Sequence, residues 1–507
     1  RYLKQGISPS EICYISFTNK AVDECVSRVR KKFKEYDEDD FVYFRTLHSL
    51  ARQQFAEIPV LDPKADLLMF HTQYGTVKIN FKNEYDEAKV YNNWSLQIYD
   101  RARNMKIDPI VLYKQQSRKA VRLQQFKSII AGYEEFKTME MEDGHRTPDR
   151  LDFTDMIQKF IDDASNLPIK VLMVDEAQDL TPLQWDMVVK IAKNVWRVYI
   201  AGDDDQAIYE WNGANVDYFN EFPGRDYILK KSYRIPAAIH DYSQYIASYI
   251  QGRKHKEFVP QQYKGMITTY NNIKDIPFTA DGTWMMLGRT NDIVDELRFK
   301  AREMGLFFQD SKGRKSFDLN KWNAIQAWSA LMRGDKIMKD KVSIIYTYIN
   351  EIGFGFRSIE SKRWYNIADN SEMDYDYLTV WGGLGAQKEH WTNVFNRNFS
   401  EKEKFYFEKL IESGIDVVKN SEMVVDTIHS IKGGEADHVV LYEKSNWVAS
   451  IQNKIGLERS SEYRVWYVGS TRARKQIHIL RSPSEYYFPL ARMLSETKRM
   501  KYGTATN

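Results

Sequence analysis

Short runs of apolar, β-branched residues alternate with longer stretches of helical spacing along this chain, and that alternation restricts it to parallel sheets assembled from βα units. Strands are expected at residues 12–17, 41–45, 170–174 and 198–201 in the first half, the third and fourth apolar on both faces as central parallel strands are. A second set is expected at 227–230, 283–287, 423–427, 438–442 and 476–480. Two α/β cores follow. The 507 residues give room for about three or four folding units at roughly 100–200 residues each, and two interruptions supply the others. Residues 55–150 place Tyr91, Trp94, Tyr99, Phe126, Ile129, Tyr133 and Phe136 at helical spacing, which predicts a helical insertion with its own small core. Residues 336–418, rich in Trp, Tyr and Asn and holding Gly382-Gly383, predict a second inserted subdomain.

Composition narrows the function classes. Hydrophobic residues make up 43% and charged residues 28%, a globular balance with enough apolar surface for sizeable cores. No apolar run approaches the about 18 residues of a membrane span. Cys13 and Cys25 are too few for a disulfide framework and are not spaced as a C-x-x-C metal or redox pair. A soluble protein of a reducing, cytoplasmic compartment with no membrane partner is expected. With 73 basic and 70 acidic side chains, a polyanion would have to be met by a local patch and not by a bulk field. The sequence opens on Arg1, just ahead of the first expected strand, so a fragment that has lost its beginning is expected.

Two adjacent carboxylates close an expected buried strand in Val171-Leu-Met-Val-Asp175-Glu176-Ala-Gln178-Asp179, at the edge where open α/β sheets bind ligands. The pair suits Mg²⁺ held by Asp175 with Glu176 orienting an attacking water; it equally suits a helix N-terminus whose dipole the acids meet. About 25 residues on, a second strand ends in Gly202-Asp203-Asp204-Asp205-Gln206, followed by Tyr209 and Trp211. Gln206 can bond a terminal phosphate or its attacking water. Tyr209 and Trp211 offer faces for unpaired bases, with core packing the other reading of Trp211.

With these segments in hand the chain resembles the UvrD/Rep/PcrA-like superfamily 1 DNA helicases, and further motifs follow in that family's order. Phe17-Thr18-Asn19-Lys20-Ala21 is similar to motif Ia, and Arg45-Thr46-Leu47-His48-Ser49 to motif Ib. Lys231-Ser232-Tyr233-Arg234 is similar to motif IV, and Leu287-Gly288-Arg289-Thr290-Asn291 to IVa. Asp426-Thr427-Ile-His429-Ser-Ile-Lys432-Gly433-Gly434-Glu435 resembles motif V, and Tyr467-Val-Gly-Ser-Thr471-Arg472-Ala473-Arg474 motif VI. The resemblance implies an α/β fold of two RecA-like parallel-sheet domains with mainly helical insertions, nucleotide in the cleft between the domains and single-stranded DNA across their tops. The implied division is 1A at 1–54 and 151–222, 1B at 55–150, 2A at 223–335 and 419–485, a reduced 2B at 336–418 and a tail at 486–507.

The implied activity is ATP-dependent, 3′ to 5′ movement on single-stranded DNA and at single/double-strand junctions, in replication, repair or recombination. ATP and Mg²⁺ are the implied cofactors. Asp175 and Glu176 would serve Mg²⁺ and the lytic water, and Gln206 the γ-phosphate. Arg234 and Arg472 would be arginine fingers. Tyr233 would stack on adenine and Glu435 meet the ribose, with Gly433 beside the nucleotide. Phe17, Thr18, Asn19, Thr46, His48, Tyr209, Trp211, Arg289, Asn291, Thr427 and His429 would contact DNA. The chain departs from the family's pattern at Asn212, Ser232 and Gly434. It also contains no G-x-x-x-x-G-K-[ST] phosphate cradle. That loop would precede Arg1, so truncation is expected, with negligible ATP hydrolysis by the 507 residues alone. The rival expectation is a catalytically inactive single-strand DNA-binding subunit of a larger repair complex.

Overall fold

The computed structural model describes residues 1–62, 66–67, 69–70, 93–116, 119–138, 150–349, 368–382, 384–395, 398–417, 419, 421–454 and 456–502. Tyr91 and Gly383 lie outside them. The chain divides into two compact units, Arg1–Ile228 with Gly252–His255, and Leu229–Gln251 with Lys256–Asn507.

In the first unit β1 (Ile12–Ile15), β2 (Phe44–Arg45), β3 (Val171–Val174) and β4 (Arg197–Ile200) form a wholly parallel sheet in the order β2-β1-β3-β4. Cys13, Ile15, Leu172 and Val174 pack with Leu47, Leu50, Ile157, Phe160, Leu183 and Val188 from the covering helices. Those helices start where the sequence supplies caps. Asp152 and Asp155 form a reciprocal capping box before Phe153–Asp163, and Thr181 with Gln184 another before Pro182–Ala192, whose first residue is proline. Each such cap contributes about 1 kcal/mol. Within 55–150 the described residues form the helices Trp94–Met105, Pro109–Gln115 and Leu123–Lys137, packed around Ile98, Leu112, Phe126, Ile129 and Phe136. They are bonded to the sheet layer by charge: Arg103 reaches Asp152 at 2.5 Å and Asp155 at 2.8 Å, and buried Lys137 reaches Asp155 at 2.8 Å.

The second unit holds a parallel pair, β5 (Lys231–Pro236) with β6 (Val259–Gln261). Its main sheet comprises β7 (Met266–Tyr270), β8 (Trp284–Gly288), β11 (Met423–Thr427), β12 (Ala436–Tyr442) and β13 (Ala473–Leu480). Every pairing there is parallel, in the order β11-β8-β12-β13-β7. Within 336–418 lies the short antiparallel pair β9 (Ile337–Met338) and β10 (Glu372–Met373). The aromatic core there, including Trp391, Phe395 and Phe407, also draws in Trp322 and Trp328 from the Leu319–Met332 helix.

Three strand expectations are corrected. Residues 227–230 form no strand, and Tyr227 and Leu229 are 85% and 77% exposed. The ladder begins at Lys231, opposite Val259, and no neighbour extends it backwards. The strand expected at 198–201 is not central: β4 ends the sheet, with Arg197 and Tyr199 exposed. The strand expected at 41–45 shrinks to Phe44–Arg45 because a turn occupies the residues before it. One edge strand, β7, escapes the sequence reading because two threonines interrupt its apolar run.

A polar seam crosses the second sheet. His438 Nδ1 and His478 Nε2 are 3.2 Å apart, His478 Nδ1 is 3.3 Å from the Tyr270 hydroxyl, and Trp284 stacks on His438 at 4.4 Å. Burial, then the neighbouring His438, lowers the pKa of His478 to about 4, and burial lowers that of His438. As pH falls from about 6.5, the unfolded chain gains a proton on His478 that the folded chain refuses until about pH 4. Folding stability should therefore drop by on the order of 3 kcal/mol across that window and then level off. Chemical denaturation at a series of pH values checks this: His478→Phe should flatten the slope, and an unchanged slope would assign it to other groups.

Candidate functional site

Parallel pairing brings the carboxyl ends of all four strands of the first unit to one edge of the sheet, and the expected site residues of that unit hang from it. Asp175 leaves β3 with both oxygens oriented. Oδ2 accepts from the Tyr14 hydroxyl at 2.9 Å, and Oδ1 from the backbone N–H of Glu176 at 3.0 Å. Burial, and next the Asp175 charge, push the Tyr14 phenol well above its usual range, so it stays a donor. Glu176 has left-handed backbone, φ 54° and ψ 35°, a conformation that costs a non-glycine residue about 1–3 kcal/mol and recurs at functional turns. The acids thus sit on a sharp turn into Ala177–Asp179 and do not enter a long helix directly.

Gln178 holds that turn. Its buried amide donates to Glu176 Oε2 at 2.6 Å and Asp179 Oδ2 at 3.2 Å, while its carbonyl accepts from the Asp203 N–H at 3.0 Å. The loops after β3 and β4 are therefore fastened together. On the second loop Gln206 donates to Asp203 at 2.7 Å. Asp203, Asp204 and Asp205 bring carboxylate oxygens within 4.8 Å of one another, but Asp205 receives both Arg253 Nε at 2.7 Å and Nη2 at 2.5 Å. Asp204 accepts from the Lys254 N–H at 2.8 Å. Those two acids serve the fold. Asp175, a hard oxygen ligand steered by two donors at a strand's carboxyl end, has the chemistry Mg²⁺ takes.

Beside this edge lies a cavity of about 200 Å³ whose lining includes Phe17, Thr46, His48, Tyr209 and Asn212. Phe17 stacks on Tyr209 at 5.1 Å and 20°, and Tyr209 lies 6.3 Å from Trp211. Trp211 is 59% exposed, which sets the core-packing reading aside. Burial, then Asp179 and Glu176, raise Tyr209 to about 12, so its phenol is uncharged at neutral pH. His48 packs edge-on against Phe153 at 5.4 Å, and burial lowers its pKa, favouring a neutral hydrogen-bonding imidazole. Thr18 and Thr46 cap helices through the N–H groups of Ala21 and Ser49, and Asn19 is the first residue of the Asn19–Lys32 helix.

In the second unit Arg234, Glu435 and Arg474 meet: Glu435 lies 3.7 Å from Arg234 and 3.3 Å from Arg474. Gly433 has φ 83°, a conformation glycine adopts without penalty, and so turns the chain toward Glu435. Arg472 is 1% exposed; it donates to the carbonyls of Val468 at 2.9 Å and Gly434 at 3.4 Å and to the Thr471 hydroxyl at 2.9 Å. Arg474 is the more exposed of the two and also lies 3.3 Å from Asp437. Tyr233 is 79% exposed, with the Lys231 ammonium 5.1 Å from its ring. Thr427 is buried and bonds Ser430, and His429 follows in the same turn. Asn291 is exposed at the start of the Asn291–Glu303 helix. Arg289 is engaged with buried Glu462 through Nε at 2.9 Å and Nη2 at 2.5 Å. The sequence reading missed Tyr14 and Glu462, each paired with an expected site residue distant in sequence, and Arg253, which holds Asp205; Gln178, inside the run from Asp175 to Asp179, was the one signal the sequence offered.

Residues 1–225 match the UvrD/REP helicase N-terminal domain family. A probable DNA helicase II homolog of Mycoplasma pneumoniae is 21% identical over 444 residues, covering 81% of this chain and 56% of that protein. The ATP-dependent DNA helicase Rep of Buchnera aphidicola is 27% identical over 242 residues, 45% of this chain and 34% of that protein. The ATP-dependent DNA helicase PcrA of Staphylococcus aureus is 24% identical over 250 residues, 46% and 32% respectively. These matches make the chain similar to the UvrD, Rep and PcrA helicases, and residues 1–225 similar to their N-terminal domain. It spans about half or less of the length of these relatives.

The Gln178 clamp yields a stability prediction. A Cβ at residue 202 would stand 2.4 Å from Gln178 Oε1 and 3.1 Å from the Phe219 ring. Gly202→Ala should displace the Gln178 carbonyl from the Asp203 N–H and destabilise the chain by about 1–3 kcal/mol. Urea denaturation measures it, and wild-type stability would show that the loop yields at no cost.

Proposed function

We propose that this chain acts in an ATP-dependent DNA helicase or translocase that moves 3′ to 5′ on single-stranded DNA during replication, repair or recombination. The observation that carries this reading is the convergence on one sheet edge of Asp175, Glu176 and Gln206 with the aromatic cavity of Phe17, His48 and Tyr209. Groups suited to a phosphate reaction and faces suited to bases share one scaffold, which mechanical coupling requires. ATP with Mg²⁺ supplies the phosphoryl-transfer chemistry when bound. Asp175 would hold the metal, Glu176 would orient water and Gln206 would bond the phosphate end. Arg234 and Arg472 neutralise developing charge, while Tyr233, Gly433 and Glu435 hold the nucleoside. Phe17, Tyr209 and Trp211 stack on bases, and Thr18, Asn19, Thr46, His48, Asn291, Thr427 and His429 line the path. Neither kind of contact reads base edges, so binding is independent of sequence. Arg289 joins that path only by loosening its pair with Glu462. The two sheets are read as RecA-like domains 1A (1–54, 151–222) and 2A (223–335, 419–485), with 55–150 and 336–418 as inserted 1B and 2B regions.

A second reading is an inactive single-strand DNA-binding subunit, in which the aromatic cavity of Phe17, His48 and Tyr209 would serve binding without turnover. DNA binding alone does not separate the two; turnover does. In a protein carrying a phosphate loop, Arg472→Lys keeps the charge but loses the planar fork, and DNA-stimulated ATP hydrolysis should fall about 10³-fold with DNA affinity retained. Arg474→Lys should be mild. Equal effects at the two positions would remove the finger assignment, and no turnover in the parent would favour the inactive subunit. Independently, Trp211→Ala should cost the chain about 1–3 kcal/mol of single-stranded DNA binding at fixed salt. Unchanged affinity in a folded variant would take Trp211 out of the path.

A further inference from the structure

The order β11-β8-β12 sets three loops side by side along the carboxyl edge of the second sheet. The first carries Thr427 and His429 and the second Arg289 and Asn291. The third, after β12, carries none of the residues assigned so far. Within it Trp447 is 53% and Val448 67% exposed, yet the residues on either side are buried: Ser445, Ala449, Ser450 and Ile451. The loop is tied at several points. The Ser445 N–H donates to the Tyr486 carbonyl at 2.9 Å, and Asn453 Nδ2 donates to the carbonyl of Trp447 itself at 2.8 Å. Asn446 accepts from the Ala449 N–H at 3.0 Å and donates at 3.4 Å to Thr290 Oγ1 and to Asp292 Oδ1 on the second loop.

A single exposed apolar residue on a surface is ordinary. Here the backbone beneath the indole is fixed from both sides and from the neighbouring DNA-facing segment, so the ring is presented with little entropy left to lose on binding. The adjacent cation, Arg289, is held by Glu462, which leaves an aromatic face as the main contact this stretch can offer. We propose that Trp447 is a base-stacking platform for single-stranded DNA on the second unit, a counterpart of the aromatic cluster on the first. The proposal rests on the DNA-binding reading above. Stacking is indifferent to base identity and requires a base, whereas phosphate contacts require only backbone.

That difference supplies the test. Anisotropy titrations of the 507-residue chain at fixed salt compare a labelled oligothymidylate with an abasic oligomer of equal length. Trp447→Ala should weaken oligothymidylate binding roughly five- to hundredfold, Trp447→Phe should restore most of it, and binding of the abasic strand should be the same for all three. Photocrosslinking of wild-type chain to 5-iodouracil DNA should mark the peptide that contains Trp447. Wild-type affinity in a folded Trp447→Ala variant, an equal loss on both oligomers, or no crosslink at Trp447 would overturn the platform and leave the ring to a protein partner. Failure of the wild-type chain to bind either oligomer would instead bring down the DNA-binding reading, and this inference with it.

Discussion

Parallel strand pairing is the constraint on which the rest of this molecule depends. In an antiparallel sheet the ends of neighbouring strands alternate between edges; in a parallel one every carboxyl end falls on the same side. Both main sheets here are wholly parallel. Segments far apart in sequence, such as 16–19, 46–48, 175–179 and 202–211, become neighbours through the pairing of their strands, and contacts such as that of Gln178 with Asp203 then fasten them. The loops then need only local devices to aim their side chains, and the helix caps at Thr18 and Thr46 and the turn at Glu176 are such devices.

Fixing those loops falls to buried charge. Arg103 and Lys137 on the insertion meet Asp152 and Asp155, Arg253 meets Asp205, and Arg289 meets Glu462. A buried pair adds little net stability over an apolar substitute, because desolvation offsets the Coulomb gain, but loss of one partner typically costs about 3–5 kcal/mol. Such pairs therefore specify geometry more than they strengthen the fold. Arg289 illustrates this: a cation that the sequence placed on a DNA path is committed in the structure to the buried Glu462 carboxylate.

Much of this was legible in the sequence because the chemistry demands particular residue types at strand ends. Asp175-Glu176 after an apolar run, and Gln206 with Tyr209 and Trp211 after another, stand out for that reason. Strand positions such as 423–427 are read from a run bounded by polar residues. Partner identity was not legible: Tyr14 is 161 residues from Asp175, and Glu462 is 173 from Arg289. Lateral order in a sheet was equally hidden, since an apolar run reports burial of a strand's faces and says nothing about who lies beside it. Val198-Tyr-Ile-Ala reads as a central strand for that reason and proves to be an edge. The histidine seam was invisible for a related cause: Trp284, His438 and His478 were recognised as strand residues without the register that stacks them, and Tyr270 lies on the strand that the sequence did not reveal.

The position of β4 has a consequence of another kind. Its outer side presents backbone N–H and C=O groups that no strand among the described residues pairs, and a row of that sort is a template for strand addition from any chain that can reach it. The strand is short, Arg197 introduces a charge, and Tyr2 leans over it, with its ring 5.6 Å from Trp196 and its hydroxyl bonded to that of Tyr199. Shortness, charge and an aromatic cover are the ordinary defences against edge-to-edge aggregation. Edge-to-edge association through the first sheet is thus opposed at the same four residues that close it.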